Sequence, residues 1–262
     1  MNDSALITGA ATRIGRAMAL NLAKQGVDLV VHYMNSKIEA QEVVELARSA
    51  GVMAYAIKAD LLNDKEVEGL ISKAVTRLQK PLSILINNAS IFEYDNIGSV
   101  SIESWERHIG SNLKAPLFLI QQFSKQLTSY DTKDQNGESL PTANIVNIVD
   151  QRVMKRTPEF ISYTIAKVGL WTLTQTAAQA LAPKIRVNAI GPGPTLKGHR
   201  QSNEHFKKQR MNTILERWPS TEEIVEALNF ILNAPSMTGQ LICVDGGQHL
   251  AWQTPDILGL EP

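Results

Sequence analysis

Tyr163 and Lys167 stand four residues apart in the run Ile161-Ser162-Tyr163-Thr164-Ile165-Ala166-Lys167. The pattern around them predicts a helix over 161–181, and side chains at that spacing share one helix face. An ammonium beside a phenol favours the phenolate and draws its pKa down from about 10. Such a pair suits proton donation near neutral pH. Taken alone, Tyr-x-x-x-Lys is usually a pair on a solvated surface, so its setting must decide.

A second group of residues suits a nucleotide. Thr8-Gly9-Ala10-Ala11-Thr12-Arg13-Ile14-Gly15 joins an apolar strand to a helix. Glycines at such a turn let the backbone approach a pyrophosphate, and the helix start offers free N–H groups and a positive dipole end. Without a ligand, the same segment is a tight turn. In dinucleotide sites an acid about 20 residues further on holds the ribose 2′-hydroxyl. Here the second strand ends in His32-Tyr33-Met34-Asn35-Ser36, with no acid. Arg13 supplies a cation for a 2′-phosphate, and Asn35 and Ser36 supply donors. NADPH/NADP+ is therefore expected over NAD(H), although a second arginine is absent. Asp60, after the third strand, either reaches an adenine or caps the next helix. Asn87-Asn88-Ala89-Ser90 closes the fourth strand, where ligands bind in open sheets, but asparagine is also a common turn residue.

The elements that must position these residues alternate along the chain. Strands are predicted at 5–8, 27–33, 52–58, 82–87, 143–149, 185–190 and 240–244. Helices are predicted at 13–25, 37–50, 64–78, 102–130, 161–181 and 221–233. This rhythm implies parallel strands with right-handed crossovers. The strands are nearly all apolar, as expected when helices cover both faces of a sheet. The fold class is thus α/β, a single Rossmann-type αβα domain spanning 1–262. Two stretches break the rhythm. Residues 129–142 are polar and are expected to form an exposed loop. Residues 191–219 open with Gly-Pro-Gly-Pro and then turn basic, as a substrate-covering loop.

Composition narrows the function classes. The 262 residues are 44% hydrophobic, enough for a sizeable core. Lys plus Arg and Asp plus Glu both number 26, so the basic excess of a nucleic-acid binder is missing. Cys243 is the single cysteine, in an apolar run that predicts a buried side chain. An intrachain disulfide is impossible, and a reducing compartment fits. No basic segment with an apolar stretch and cleavage site opens the chain, and no run approaches the roughly 18 apolar residues of a membrane span. A soluble, cytoplasmic protein without membrane partners is expected.

In order and spacing, the set resembles the short-chain dehydrogenase/reductase family over nearly the whole chain. Its motifs are Thr8-Gly9 to Gly15, Asn87-Asn88-Ala89, Tyr163 to Lys167, Gly191-Pro192-Gly193 and Val244-Asp245-Gly246-Gly247. The resemblance implies a seven-stranded parallel sheet and hydride transfer from a nicotinamide, with Tyr163 as proton donor. It implies that Lys167 holds the nicotinamide ribose and that Asn112, in Gly110-Ser111-Asn112-Leu113, completes a proton relay. It also implies a cofactor-binding set of Gly9, Thr12, Arg13, Ile14, Gly15, His32, Tyr33, Asn35, Ser36, Asp60, Leu61, Asn88, Ala89, Pro192 and Gly193, together with Tyr163 and Lys167.

Two departures refine the resemblance. Arg13 stands where the family usually has glycine, and Asp150, thirteen residues before Tyr163, where it usually has serine. The family's serine donates to a substrate carbonyl, whereas an ionised aspartate only accepts hydrogen bonds and repels the alkoxide that forms as hydride arrives. Asp150 thus argues against a simple ketone unless a raised pKa keeps it protonated, and suits a substrate with N–H groups or a ring nitrogen that takes up a proton. Both departures, and the His32-Tyr33 pair, are similar to the pteridine reductases within the family, including the bacterial dihydromonapterin reductases. That subgroup implies a pterin held against the nicotinamide by Phe92, with Ser90 beside it and Arg13 touching both phosphate and pterin. Phe92 is otherwise a hydrophobe of a lid loop. The leading expectation is NADPH-dependent reduction of a dihydropterin to a tetrahydropterin. The alternatives are a carbonyl reductase, such as a 3-oxoacyl-carrier-protein or small-ketone reductase, and a non-catalytic NADP(H)-binding sensor.

Pro192, Gly193 and Leu196 are expected to line the substrate pocket. Lys197, His199, Arg200, His205, Lys207, Lys208 and Arg210 either draw in an anion or form a solvated helix face. The tail 249–262 carries Trp252, Ile257, Leu258 and Leu260, apolar surface expected to pack on the body or on a neighbouring subunit. The family resemblance implies a homotetramer or homodimer.

Overall fold

A computed structural model describes residues 3–127, 132–196, 202–252 and 254. Seven strands form one parallel sheet: β1 (Ser4–Ile7), β2 (Asp28–Tyr33), β3 (Ala54–Lys58), β4 (Ile84–Asn87), β5 (Ala143–Ile148), β6 (Ile185–Pro192) and β7 (Leu241–Val244), in the order β3-β2-β1-β4-β5-β6-β7. The helices are α1 (Arg13–Lys24), α2 (Lys37–Ser49), α3 (Asp64–Leu78), α4 (Ile102–Ile109), α5 (Ala115–Lys125), α6 (Ile161–Leu181), α7 (Asn203–Met211) and α8 (Thr221–Asn233).

Successive strand residues point to opposite faces, and both faces are apolar. Ile7, Val31, Ile86 and Val146 bury against α1, α2 and α8 through Met18, Leu22, Val44, Leu228 and Ile231. Their strand neighbours Leu6, Val30, Leu85 and Ile145 bury on the other side against Leu70, Leu119 and Phe123 of α3 and α5. The strand order reverses between β1 and β4. A crevice forms at the carboxyl ends there, because the flanking crossovers leave in opposite directions. Thr8, Asn88, Asp150 and Gly193 all follow strand ends along that edge.

The structure departs from the sequence reading in three places that bear on the site. The helix expected over 102–130 is broken by a π-helical turn at Gly110–Lys114 and ends at Lys125. Pro116 has no N–H to donate to the Asn112 carbonyl four residues back, so an unbroken α-helix cannot pass through this point. A Cβ on Gly110 would stand 2.9 Å from Leu62, so the turn also packs tightly on the loop after β3. β6 runs two residues beyond its expected end, because Gly191 and Pro192 pair with Cys243 and Val244 of β7. The segment 191–219 is not all loop, since it contains α7.

Other expectations are met or bounded. Described residues 132–142 are an exposed turn held by Asp134, whose Oδ1 accepts N–H bonds from Asn136 and Glu138. Cys243 is half-covered rather than fully buried. Lys197, His199, Arg200, Ile257, Leu258 and Leu260 lie outside the described residues, as do the side chains of His205 and Arg210. Trp252 keeps 59% of its surface exposed. No helix among the described residues is long and apolar enough to cross a membrane.

Candidate active site

The loop between β1 and α1 is shaped by close approach. Gly9 has φ +63°, and a Cβ on Gly15 would lie 2.3 Å from the Gly9 carbonyl oxygen, so the helix start can press on the loop only as glycine. Arg13 takes φ +55°, a left-handed conformation that side chains other than glycine rarely adopt. Its Nη2 donates to the Leu196 carbonyl at 3.0 Å, tying the glycine loop to the start of the covering segment. Thr12 caps α1 without a side-chain bond, and the first turn holds no acid. The helix start thus presents N–H groups and no negative charge, which fits a pyrophosphate.

Several residues of the expected cofactor set act from behind this loop. His32 is buried. Its Nδ1 accepts the Gly9 N–H at 3.0 Å, and its Nε2 lies 3.0 Å from the Ala59 carbonyl, to which it donates. Burial holds its pKa below the usual value, in keeping with a neutral ring. His32 therefore fixes the loop instead of facing a ligand. Asn88, half-buried, also braces the loop, donating from Nδ2 to the Thr8 carbonyl at 2.8 Å and the Gly9 carbonyl at 3.1 Å. The Thr8 hydroxyl accepts the N–H groups of Asn88 and Ala89. Asp60 accepts the Leu62 N–H, and the cap of α3 is Asn63, so the helix-cap alternative for Asp60 does not hold. Leu61 is buried beside it, and Ile14 packs partly into the core.

The end of β2 stays open. Tyr33 is half-buried, Asn35 is exposed, and Ser36 heads α2 with its hydroxyl free of any cap bond. Together with Arg13, these groups offer donors and a cation where a 2′-phosphate would lie, which fits NADP(H) better than NAD(H).

Past β5 the reacting groups converge. The Tyr163 hydroxyl donates to Asp150 Oδ2 at 2.9 Å, and Asp150 Oδ1 accepts the Arg152 N–H at 2.8 Å. Burial pushes the Asp150 carboxyl above the usual range, and the bonds from Arg152 and Tyr163 offset only part of this. Burial and the neighbouring Asp150 together push the Tyr163 phenol well above its ordinary value. The Lys167 ammonium donates to the Ile148 carbonyl at 2.8 Å and stands 5.7 Å from the centre of the Tyr163 ring. Burial lowers its pKa to about 8. The expectation that Lys167 draws the phenol down is thus not met in this arrangement. The Asp150 carboxylate is the phenol's direct partner, and like charges oppose ionisation of both. The Ser90 hydroxyl also reaches the Tyr163 oxygen.

Phe92 meets Tyr163 edge-on at 4.7 Å between ring centres. It also stacks on Phe160 at 4.4 Å and 12°, a partner absent from the sequence reading. Phe160 takes φ +57° immediately before α6, and nothing in its neighbours along the chain marks it out. Asn112 sits in the π-turn and clamps Ile91, accepting its N–H at 2.9 Å and donating to its carbonyl at 2.8 Å. It holds the loop that carries Ser90 and Phe92. Pro192 ends β6, and a Cβ on Gly193 would stand 2.8 Å from Asp245 Cα, so this strand end packs closely on the turn after β7. Lys207 and Lys208 are solvent-exposed, as a solvated helix face requires.

A buried polar chain, also missed from the sequence, locks the same loop to α6. The Glu93 N–H donates to His108 Nε2 at 3.1 Å, so Nδ1 carries the proton and donates to Ser162 Oγ at 2.6 Å. The Ser162 hydroxyl in turn donates to Asp95. Burial pushes the Asp95 carboxyl up, but bonds from Ser162 and Ser104 outweigh it, and the pKa falls below the usual range. Ser162→Ala leaves both partners short of a bond inside the protein. It is expected to cost about 1–3 kcal/mol in a urea unfolding series. An unchanged midpoint is the result that contradicts this.

Comparison with known proteins places the chain. A family model described as Enoyl-(Acyl carrier protein) reductase matches residues 9–249. The chain is a member of the short-chain dehydrogenase/reductase family. It is therefore an oxidoreductase on an α/β Rossmann-type fold. Among relatives in this family, the 3-oxoacyl-[acyl-carrier-protein] reductase FabG of Staphylococcus epidermidis is 32% identical, over 95% of this chain and 100% of its own. A 3-oxoacyl-[acyl-carrier-protein] reductase of Synechocystis is 31% identical, over 93% and 95%. Two solved structures are nearer in sequence. FolM Alternative dihydrofolate reductase 1 from Brucella suis, in complex with NADP, is 41% identical with a TM-score of 0.90 over 98% of each chain. The Brucella canis protein, also complexed with NADP, is 40% identical with a TM-score of 0.88, again over 98% of each.

Proposed function

We propose that this oxidoreductase is an NADPH-dependent pterin reductase that converts a dihydropterin to a tetrahydropterin. The observation that carries the reading is the 2.9 Å bond between the Tyr163 hydroxyl and an Asp150 carboxyl whose pKa is raised by burial. The likeness to two proteins named alternative dihydrofolate reductases supports it. The open, acid-free end of β2 and the uncapped start of α1 support NADPH as the cofactor.

Bound NADPH supplies the hydride. The residues supply position and the proton. Asp150, whose pKa burial raises, serves as the acid that donates toward a ring nitrogen of the pterin, so no oxygen anion develops beside it. Tyr163, bonded to Asp150, passes its proton to the carboxyl as the carboxyl's own leaves, and takes one back from solvent, so no free phenolate is left. Lys167, anchored on the Ile148 carbonyl, provides the cation beside them. Phe92 offers a ring for stacking, 54% exposed and edge-on to Tyr163. Ser90 completes the rim. Exposed Leu117, Phe118 and Ile165 on α5 and α6 support a homo-oligomer, for which a solution mass of one chain is the overturning result.

The test is NADPH oxidation measured side by side with dihydrobiopterin, dihydromonapterin, dihydrofolate and an acetoacetyl ester. Turnover of the ester alone identifies the carbonyl reductase that the FabG relatives suggest. Cofactor binding without turnover of any substrate identifies a sensor.

The pH profile is a second check. A raised pKa keeps the Asp150 proton above the usual carboxylate range, so the acid form is lost as pH rises through that value. Lys167 loses its charge near pH 8. Pterin kcat/KM is therefore expected to fall toward alkaline pH, with the loss well advanced above pH 8. A rate that climbs steadily with pH from weakly acidic to alkaline conditions contradicts Asp150 as the acid.

A further inference from the structure

The chain leaves Asp150 through three cations, Arg152, Lys155 and Arg156, before it returns to Phe160 and Tyr163. Among the described residues none of the three forms an ion pair. Arg152 is nevertheless fixed in place. Its Nη1 donates to Thr157 Oγ1 at 2.7 Å and to the Glu159 carbonyl at 3.3 Å. Its guanidinium carbon stands 5.0 Å from the centre of the Phe160 ring, a cation–π contact. Its backbone N–H bonds Asp150. Among the described residues no side-chain bond engages its Nε or Nη2. Among the described residues no carboxylate lies within ion-pair distance of the guanidinium, and the Asp150 carboxyl acts on it only from further off.

Rings connect this cation to the reacting centre. Tyr163 meets Phe92 at 4.7 Å, Phe92 stacks on Phe160 at 4.4 Å, and Phe160 meets Tyr94 edge-on at 5.2 Å. Phe92 and Tyr94 keep 54% and 52% of their surface exposed, which leaves apolar ring surface open beside the reacting centre. A half-covered guanidinium with uncommitted donors, at the far end of an aromatic ledge, matches an anion carried beyond a flat group.

We propose that Arg152 reads an anionic tail on the substrate. The preferred dihydropterin then carries, on its side chain, an aromatic ring followed by a carboxylate, as dihydrofolate does, rather than a short neutral polyol. The head lies at Asp150 and Tyr163, the second ring lies along the Phe92 and Tyr94 ledge, and the carboxylate pairs with Arg152. Lys155 and Arg156 strengthen the positive field at the same mouth. This inference rests on the pterin reading.

The experiment measures kcat/KM for dihydrofolate and for dihydrobiopterin on the wild type, Arg152→Gln and Arg152→Lys. In Arg152→Gln the dihydrofolate-to-dihydrobiopterin ratio is expected to fall by about tenfold or more, mainly through KM. Arg152→Lys, which keeps the charge, is expected to restore part of it. Added salt is expected to lower the ratio in the wild type. A ratio that does not move in Arg152→Gln overturns the inference, including the case where both substrates lose equally because the loop is loosened. The ratio is indifferent to the fraction of folded enzyme, so it still separates the two outcomes in a poorly folded variant. If the wild type turns over neither dihydropterin, the pterin reading falls and takes this inference with it.

Discussion

Asp150→Ser is expected to lower pterin kcat/KM by about 10²–10⁴-fold while leaving or improving NADPH-dependent reduction of an acetoacetyl ester. The two effects share one cause. A serine hydroxyl donates a hydrogen bond to a carbonyl oxygen and does not oppose the negative charge that develops there. It is no proton donor to a ring nitrogen, because its pKa is far too high. Asp150 has the opposite properties, since burial raises its pKa and its bond to Tyr163, 2.9 Å between the oxygens, keeps a second proton within reach. Equal loss of both activities, or loss of the ester activity alone, contradicts the assignment. Stability offers an independent readout. The folded pKa of Asp150 is raised above its unfolded value of about 3.9, so the folded state binds the proton more tightly. Its favourable contribution is present at acid pH and is lost as pH rises through the folded pKa. Asp150→Ser is therefore expected to gain stability relative to the wild type on going from pH 4 to neutral pH.

Tyr163→Phe is expected to lower kcat by about 10²–10⁴-fold on any substrate the enzyme accepts, with NADPH still bound in a fluorescence titration. The ring, which packs edge-on against Phe92 and His108, is kept. Only the hydroxyl that reaches Asp150 and Ser90 is lost. Removing that donor also takes away a bond that favours the ionised carboxylate, so the Asp150 pKa moves further up. Retention of more than about a tenth of kcat would show that protons reach the substrate by another route.

Much of this arrangement was legible from residue order, and the reason is local. A parallel sheet with both faces covered needs apolar strands, and helices between them need a 3.6-residue pattern, so the seven strands stand out along the chain. Gly9 and Gly15 are legible because backbone contact forces their type, and Tyr163 and Lys167 because four residues make one helical turn. The long helix through Asn112 was misread because its apolar pattern continues across the π-turn. The break depends on one missing N–H at Pro116 and on contact with Leu62, which only the fold supplies. Position groups His32 and Asn88 with the cofactor contacts, and only the fold shows that both also brace the glycine loop by hydrogen bonds.

The charge state of the catalytic pair belongs to the tertiary structure. Sequence spacing places Lys167 one turn from Tyr163 and suggests an acidified phenol. In the fold, Lys167 turns to the Ile148 carbonyl and Asp150 takes the hydroxyl, so the phenol moves the other way. The same holds for Phe160, Arg152 and the chain of His108, Ser162 and Asp95, whose roles arise from segments far apart in sequence. Sequence by itself determined the fold, the family and the residue types at the reacting centre, because these follow from periodicity, backbone sterics and side-chain chemistry. The tertiary structure alone decided which group each of them faces, because burial and partner distance set pKa and hydrogen bonding, and neither is a property of the chain one residue at a time.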